Sequence, residues 1–403
     1  MATGRRETPP CSKTYGFPIY CAAWVPLAQI SAAAAAEKVE EEKKEGDATS
    51  EGEGGGDSSA STDKGDRLLV ALGGGGGEGR SGVPNVVVIS QFDVPSRFLA
   101  EQPVFRMETE RDVPYRMAVH PGGDGIIFSF PKSCRWFQWD FSETRGTHNL
   151  SLRSSGEALT QLKDVGQQLA LSFDEEGSLL ATGSEDGHLR IFKWPSMENI
   201  LEETVDNTTL KDLDFSSDGK FLVSLRNSGP CRVWDLISST VKANLPREDG
   251  EIFGFCRFSR SADNSQVLFV TAMHGDQGKI ISWDTISWNR VGSKRIVRDP
   301  ISAFNVSPDG KHLAIGTIEG TITILRSANM QVQMTVKRAH LGIVTGVVFS
   351  QDSRALMSSS FDSTARVTIL ESKNKNAGFS MWMVILIIIL AMLAYYIKLK
   401  ADL

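Results

Sequence analysis

Any chemistry in this chain begins with the segment Gly73-Gly-Gly-Gly-Gly-Glu-Gly-Arg-Ser-Gly-Val-Pro-Asn85, set between the strand-like runs Leu68-Leu-Val-Ala-Leu72 and Val86-Val-Val-Ile89. Glycine loses the most freedom on ordering, so such a run burdens a sheet unless something repays it. Glycine suits a backbone that takes φ > 0 or approaches another surface with no Cβ in the way, which makes the loop's own main chain the expected contact. Gly77-Glu-Gly79-Arg-Ser-Gly82 also spells G-x-G-x-x-G after a strand. That dinucleotide motif must open a helix whose N-terminus holds the pyrophosphate. Here Val83-Pro84-Asn85 leads into another strand, so no cradle of that type forms, and no Gly-Lys-Ser/Thr closes a Walker loop.

Other catalytic groupings are missing from the sequence. His120, His148, His188, His274, His312 and His340 are dispersed, none in a metal-binding motif. His120 precedes a turn and His340 precedes Leu341-Gly-Ile, positions where a structural role is expected for both. The five cysteines, Cys11, Cys21, Cys134, Cys231 and Cys256, are odd in number and lack ligand spacing, which reads as free thiols in a reducing compartment. A net charge of −6 argues against nucleic acid, because neutralising phosphates needs a basic surface. An ordinary enzyme acting on a small-molecule substrate is not expected.

The elements that must position the loop are repeats. Apolar alternation runs into an Asp/Gly/Ser-rich turn and a second apolar strand at Val119-His-Pro-Gly-Gly-Asp-Gly, Ser172-Phe-Asp-Glu-Glu-Gly and Phe215-Ser-Ser-Asp-Gly. The pattern returns at Phe258-Ser-Arg-Ser-Ala-Asp, Val306-Ser-Pro-Asp-Gly and Phe349-Ser-Gln-Asp-Ser. Spacings of roughly 42 to 53 residues fit one four-stranded propeller blade each. Trp139-Asp140, Trp234-Asp235 and Trp283-Asp284 carry the WD mark, which is eroded at Trp194. Six repeats lie between about Tyr115 and Leu370, and Tyr15 to Met107 supplies strands for a seventh. The expected fold is all-β, a seven-bladed WD-repeat β-propeller over 15–372 with a single C-terminal transmembrane helix.

Residues 1–14 are expected to be a flexible N-terminus. Residues 31–66, Ala-rich and then rich in Glu, Lys, Gly, Ser and Asp, read as a disordered acidic insertion in the first blade, its Ala/Glu/Lys part able to form transient helix. Residues 377–397 hold no charge and, at about 1.5 Å rise each, give roughly 31 Å, enough to cross a bilayer. Trp382 and Tyr395-Tyr396 supply interfacial belts, and 398–403 forms a short lumenal tail. With no N-terminal signal core, the rest of the chain is expected in the cytosol.

Phe17-Pro-Ile-Tyr20, Leu69-Val-Ala-Leu-Gly-Gly-Gly-Gly76 and Gly82-Val-Pro-Asn85, with the repeats and the apolar C-terminus, carry a specific resemblance. The chain resembles the Sec-twelve-like, or prolactin regulatory element-binding, family of exchange factors that load Sar-type small GTPases at the endoplasmic reticulum. The resemblance implies that residues 73–85 form an exchange loop engaging the nucleotide site of the GTPase and starting COPII coat assembly, with no bond-making chemistry. It implies a potassium ion held by main-chain oxygens of Gly73, Gly74, Gly75, Gly76, Gly77, Gly79 and Gly82 rather than by side chains. It assigns exchange to Asn85, with Val83 as the apolar residue beside it and Pro84 stiffening the return, and matches Asp112 to an acidic residue of the interaction face. Partners are then the GTPase and the endoplasmic-reticulum membrane, the propeller facing the cytosol. The sequence departs from the pattern in its insertion, one extra glycine, Glu78 and Arg80. The competing reading is a propeller scaffold or cargo-exit facilitator without exchange activity.

Overall fold

The computed structural model describes residues 11–45, 67–79, 81–144, 147–204, 208–260, 267–370 and 389–392. One compact unit spans Met1–Ile369 and a second Leu370–Leu403. Among its described residues the first unit contains seven antiparallel sheets, six of four strands and one of five. This is the seven-bladed propeller that the repeat spacing predicts.

The first blade is built from β2 (Ile19–Trp24), β3 (Arg67–Gly74), β4 (Val86–Asp93), β5 (Phe98–Leu99) and β6 (Phe105–Glu108), preceded in the chain by β1 (Ser12–Thr14). The second comprises β7 (Arg116–Val119), β8 (Gly125–Ser129), β9 (Cys134–Thr144) and β10 (Thr147–Ala158). Middle strands are pressed between neighbouring blades on both faces and are therefore buried throughout, apolar in Gly125–Ser129 and half serine in Ala355–Ser360. Outer strands such as Gln331–Val336 are largely exposed and polar-rich. The predicted turn chemistry is visible at Ser216-Ser-Asp-Gly: Ser216 Oγ donates to Asp218 Oδ1 at 2.7 Å, the Lys220 N–H donates to the same oxygen at 3.2 Å, and Gly219 takes φ 65°.

Two features differ from the sequence expectation. Residues 12–14 are not a flexible end, because β1 pairs with strand Thr364–Ile369 in the register Ser12↔Arg366 and Thr14↔Thr364. The last blade thus takes its fourth strand from the start of the chain, which closes the ring. Part of the insertion is also ordered: α1 runs Leu27–Glu45. Pro26 opens it, Ala32 to Ala36 favour helix, and buried Ile30 with Val25 docks its start against Ile126 and Phe128. Residues 46–66 lie outside the described residues.

Register gives the propeller two distinct faces. Gly74 pairs with Ile19 and Val86 at one end of the first blade, whereas Trp24 pairs with Val70, and Arg67 with Asp93, toward the other. The last blade runs in the same sense, since Thr345 Oγ1 donates to Ile19 O (2.7 Å) and Trp24 Nε1 to Val348 O (2.9 Å). The glycine loop therefore stands on one face. The start of α1 and Ile369, which pairs with Ala355, stand on the opposite one.

Among the described residues no helix is long and apolar enough to cross a membrane. The expected span 377–397 falls outside them except for Ile389–Met392, which are helical, and the expected tail 398–403 falls wholly outside.

Candidate functional site

The site begins as a hairpin. Gly73 and Gly74, expected in the loop, are instead the last residues of β3, paired with Val87 and Val86. Their lack of side chain is used in packing: a Cβ on Gly73 would meet Cys21 Sγ and Pro114, and one on Gly74 would overlap the Pro18 carbonyl. The projecting loop is thus Gly75 to Asn85, tied at its base by the Gly75 N–H donating to Pro18 O at 3.0 Å. Gly75 has φ 148°, and a Cβ there would run into Asn85 Oδ1 and Cα. A Cβ on Gly76 would overlap Ser81 Oγ and crowd Val83, while Gly77 has φ 78°, which L side chains rarely adopt. Gly79 and Gly82 have open space around them.

Asn85 organises the loop from inside. Only 3% exposed, it accepts the Gly77 N–H on Oδ1 at 2.9 Å and donates Nδ2 to Gly77 O at 3.1 Å and Glu110 O at 3.0 Å. Its own carbonyl accepts the Thr109 N–H at 2.9 Å. The amide, which could bond either backbone or an ion, is thus committed to holding backbone, and the surface is made by what it holds. Glu78, Gly79, Ser81, Gly82 and Pro84 are exposed, whereas Val83 is half-buried against the first-blade core. Arg80 is outside the described residues.

Asp112 joins the same network through a turn that no sequence signal announced. The Asp112 N–H donates to Thr109 O (3.1 Å) and Thr109 Oγ1 donates to Asp112 O (2.6 Å), with Glu110 between them at φ 55°. The Asp112 carboxylate is paired with Arg135 of β9, whose guanidinium also lies 4.7 Å over the Phe130 ring. Asp112 is half-buried and anchored, so it braces the loop's neighbour as well as presenting charge. Cys21 lies beneath both segments, its thiol donating weakly to Gly73 O (3.8 Å) and Pro114 O (3.6 Å), and burial pushes its pKa up to about 12. Asn85 and Asp112 thus share one network of backbone contacts, and Thr109, Glu110, Arg135 and Cys21, which complete it, had no motif to betray them.

The expected structural histidines are held in packing. His340 is buried between Thr364 Oγ1 (2.6 Å) and Ser358 Oγ (2.9 Å), and His120 packs edge-on to Phe173 at 5.1 Å. Among the described residues no group of three or more His, Cys, Asp and Glu side chains could hold a metal ion. A groove of about 720 Å³ opens between α1 and β9, lined by Ile30, Ala33, Trp136 and Trp139 among others, and no predicted site residue reaches it.

Comparison with known proteins agrees with this architecture. The family model for the WD domain, G-beta repeat, matches residues 163–193 and 331–368. The chain is 49% identical to SEC12-like protein 2 of Arabidopsis thaliana over 385 residues, 95% of this chain and 94% of that protein. It is 30% identical to SEC12-like protein 1 of the same plant over 71% of each chain. Similarity extends to the guanine nucleotide-exchange factor SEC12 of Mus musculus, at 25% identity over 59% of this chain and 62% of that one. A WD-repeat propeller whose likeness to a SEC12-like protein runs through nearly its whole length, the chain belongs to the SEC12-like family.

Proposed function

We propose that the chain is a guanine-nucleotide exchange factor for a Sar-type small GTPase at the endoplasmic reticulum, acting at the start of COPII coat assembly. The observation that carries this reading is the Asn85 clamp, which holds an exposed main-chain loop in one shape on one face of a rigid propeller. An exchange factor makes no bonds. It binds the nucleotide-free GTPase better than the nucleotide-bound form, and that differential affinity is what speeds GDP release. A loop already ordered before binding loses less entropy on contact, so more of its interaction energy is left to favour the empty state.

The family resemblance implies a potassium ion at the loop's main-chain oxygens. Gly77 O and Glu110 O both point at Asn85 Nδ2, and each carbonyl retains a second lone pair. Neutral main-chain oxygens of this kind suit a large monovalent cation. When bound, the ion would supply positive charge that stiffens the loop's base, a task the Asn85 amide performs in its own right.

The apolar run 377–397 supports a membrane anchor and hence a single membrane as the place of action.

The test is release of a fluorescent GDP analogue from a Sar-type GTPase on liposomes carrying the full-length chain. Acceleration is expected, with at least tenfold loss for Asn85→Ala. No acceleration by wild type would sink the exchange reading and leave the scaffold reading. Exchanging potassium for a poorly coordinating cation reads the ion's contribution separately.

A further inference from the structure

Beside the glycine loop, on the same face, the last two blades leave apolar side chains exposed. Leu341 is 90% exposed, Ile343 39% and Phe361 42%, and Ile318 of the preceding blade is also exposed. All four lie in loops at the end of the sheets that carries Gly74, as Thr345 on Ile19 and the pairing Val344↔Ser360 require. The patch is continuous with the loop. The Phe361 ring meets Tyr20 at 5.1 Å, Tyr20 meets Tyr115 at 5.9 Å, and Tyr20 lies two residues from Pro18, whose carbonyl anchors Gly75.

These side chains are also held in place. The Leu341 N–H donates to Asp362 Oδ2 at 2.5 Å, the Phe361 N–H to Ile343 O at 3.2 Å, and buried His340 fixes the residue before Leu341 through Ser358 and Thr364. An apolar side chain that the backbone presents rigidly to water is unfavourable for the free protein and typical of an interface anchor.

We infer that Leu341, Ile343 and Phe361 form an apolar anchor for the same GTPase on which the glycine loop acts, an inference that rests on the exchange reading above. The division of labour follows from position. The anchor contacts the GTPase beside its nucleotide site and binds it whether or not nucleotide is present, whereas the loop discriminates between the two states. Contacts equal in both states raise affinity without changing the maximal rate.

Stopped-flow release of a fluorescent GDP analogue, with the full-length chain in detergent micelles at increasing concentration, separates these effects. Leu341→Asp and Phe361→Ser are expected to raise the half-saturating concentration about tenfold or more while the maximal rate stays within about twofold, and Asn85→Ala to lower the maximal rate. Leu341 makes so little contact that its variant should retain the wild-type unfolding midpoint, which excludes misfolding as the cause. Half-saturation within twofold of wild type, or a loss confined to the maximal rate, would overturn the anchor. If wild type fails to accelerate release, the exchange reading falls. The anchor is then judged by biolayer interferometry on the GDP-loaded GTPase: tenfold weaker binding by Leu341→Asp upholds it, and equal or absent binding overturns it.

Discussion

Asn85 grips Gly77 at two points, accepting its N–H at 2.9 Å and donating to its carbonyl at 3.1 Å, so that one side chain fixes a peptide segment eight residues away. Asn85→Ala removes both bonds and the one to Glu110 O, leaving partly buried main-chain groups unpaired at about 1–3 kcal/mol. Asn85→Asp should cost more, because it sets an anionic oxygen against two carbonyl oxygens. Denaturant unfolding of the two variants beside wild type checks the order, and an Asp variant as stable as wild type would contradict the clamp.

The loop glycines separate into required and permissive positions. Gly75→Ala puts a Cβ into Asn85 and demands φ 148°, and is expected to lose about 1–3 kcal/mol together with exchange activity. Gly79 has ordinary φ and nothing within 4 Å, so Gly79→Ala should stay within about 0.5 kcal/mol of wild type. Equal losses at the two positions would mean that the loop is not held in this shape.

Acid stability should report a buried carboxylate far from the loop. Burial alone would raise the pKa of Glu251, but hydrogen bonds from Lys279 and Arg290 outweigh it and hold the pKa at about 2, below its ordinary 4.5. A depressed pKa contributes stability that is fully present above about 4.5 and lost as pH falls toward 2. Glu251→Gln should therefore lower stability at neutral pH and flatten the stability–pH curve between those limits, as measured by thermal unfolding across pH 2–7.

Thiol labelling offers a local probe of the site. Burial raises the pKa of Cys21 and of Cys134 to about 12, whereas Cys11 is half-buried. Iodoacetamide at pH 8 should modify Cys11 first and reach Cys21 only when the strands under the loop open. Faster labelling of Cys21 in Asn85→Ala than in wild type, read by peptide mass spectrometry, is the expected outcome.

Removing residues 1–14 should damage more than a flexible end would. It strips β1 from the last blade and leaves strand Thr364–Ile369 as an open edge. It also removes Lys13, whose Nζ donates to Ala100 O and Glu101 O. A lower unfolding midpoint and concentration-dependent aggregation by light scattering are expected.

By itself the sequence determined the blade count, because each repeat carries its own turn chemistry, as Ser216-Ser-Asp-Gly does within five residues. It likewise marked the glycine hairpin, and the family resemblance pointed to Asn85 within it. Local hydrogen bonds and period-two alternation are written into neighbouring residues, and so are legible without a fold. Ring closure was not legible, since Ser12 meets Arg366 across nearly the whole chain, nor was the docking of α1 by Ile30. The direction of the Asn85 amide was decided only when Glu110 arrived beside it from the next blade connection. The tertiary structure thus settled the Asn85 amide as an internal clamp on backbone, because a polar side chain enclosed by backbone must satisfy that backbone first.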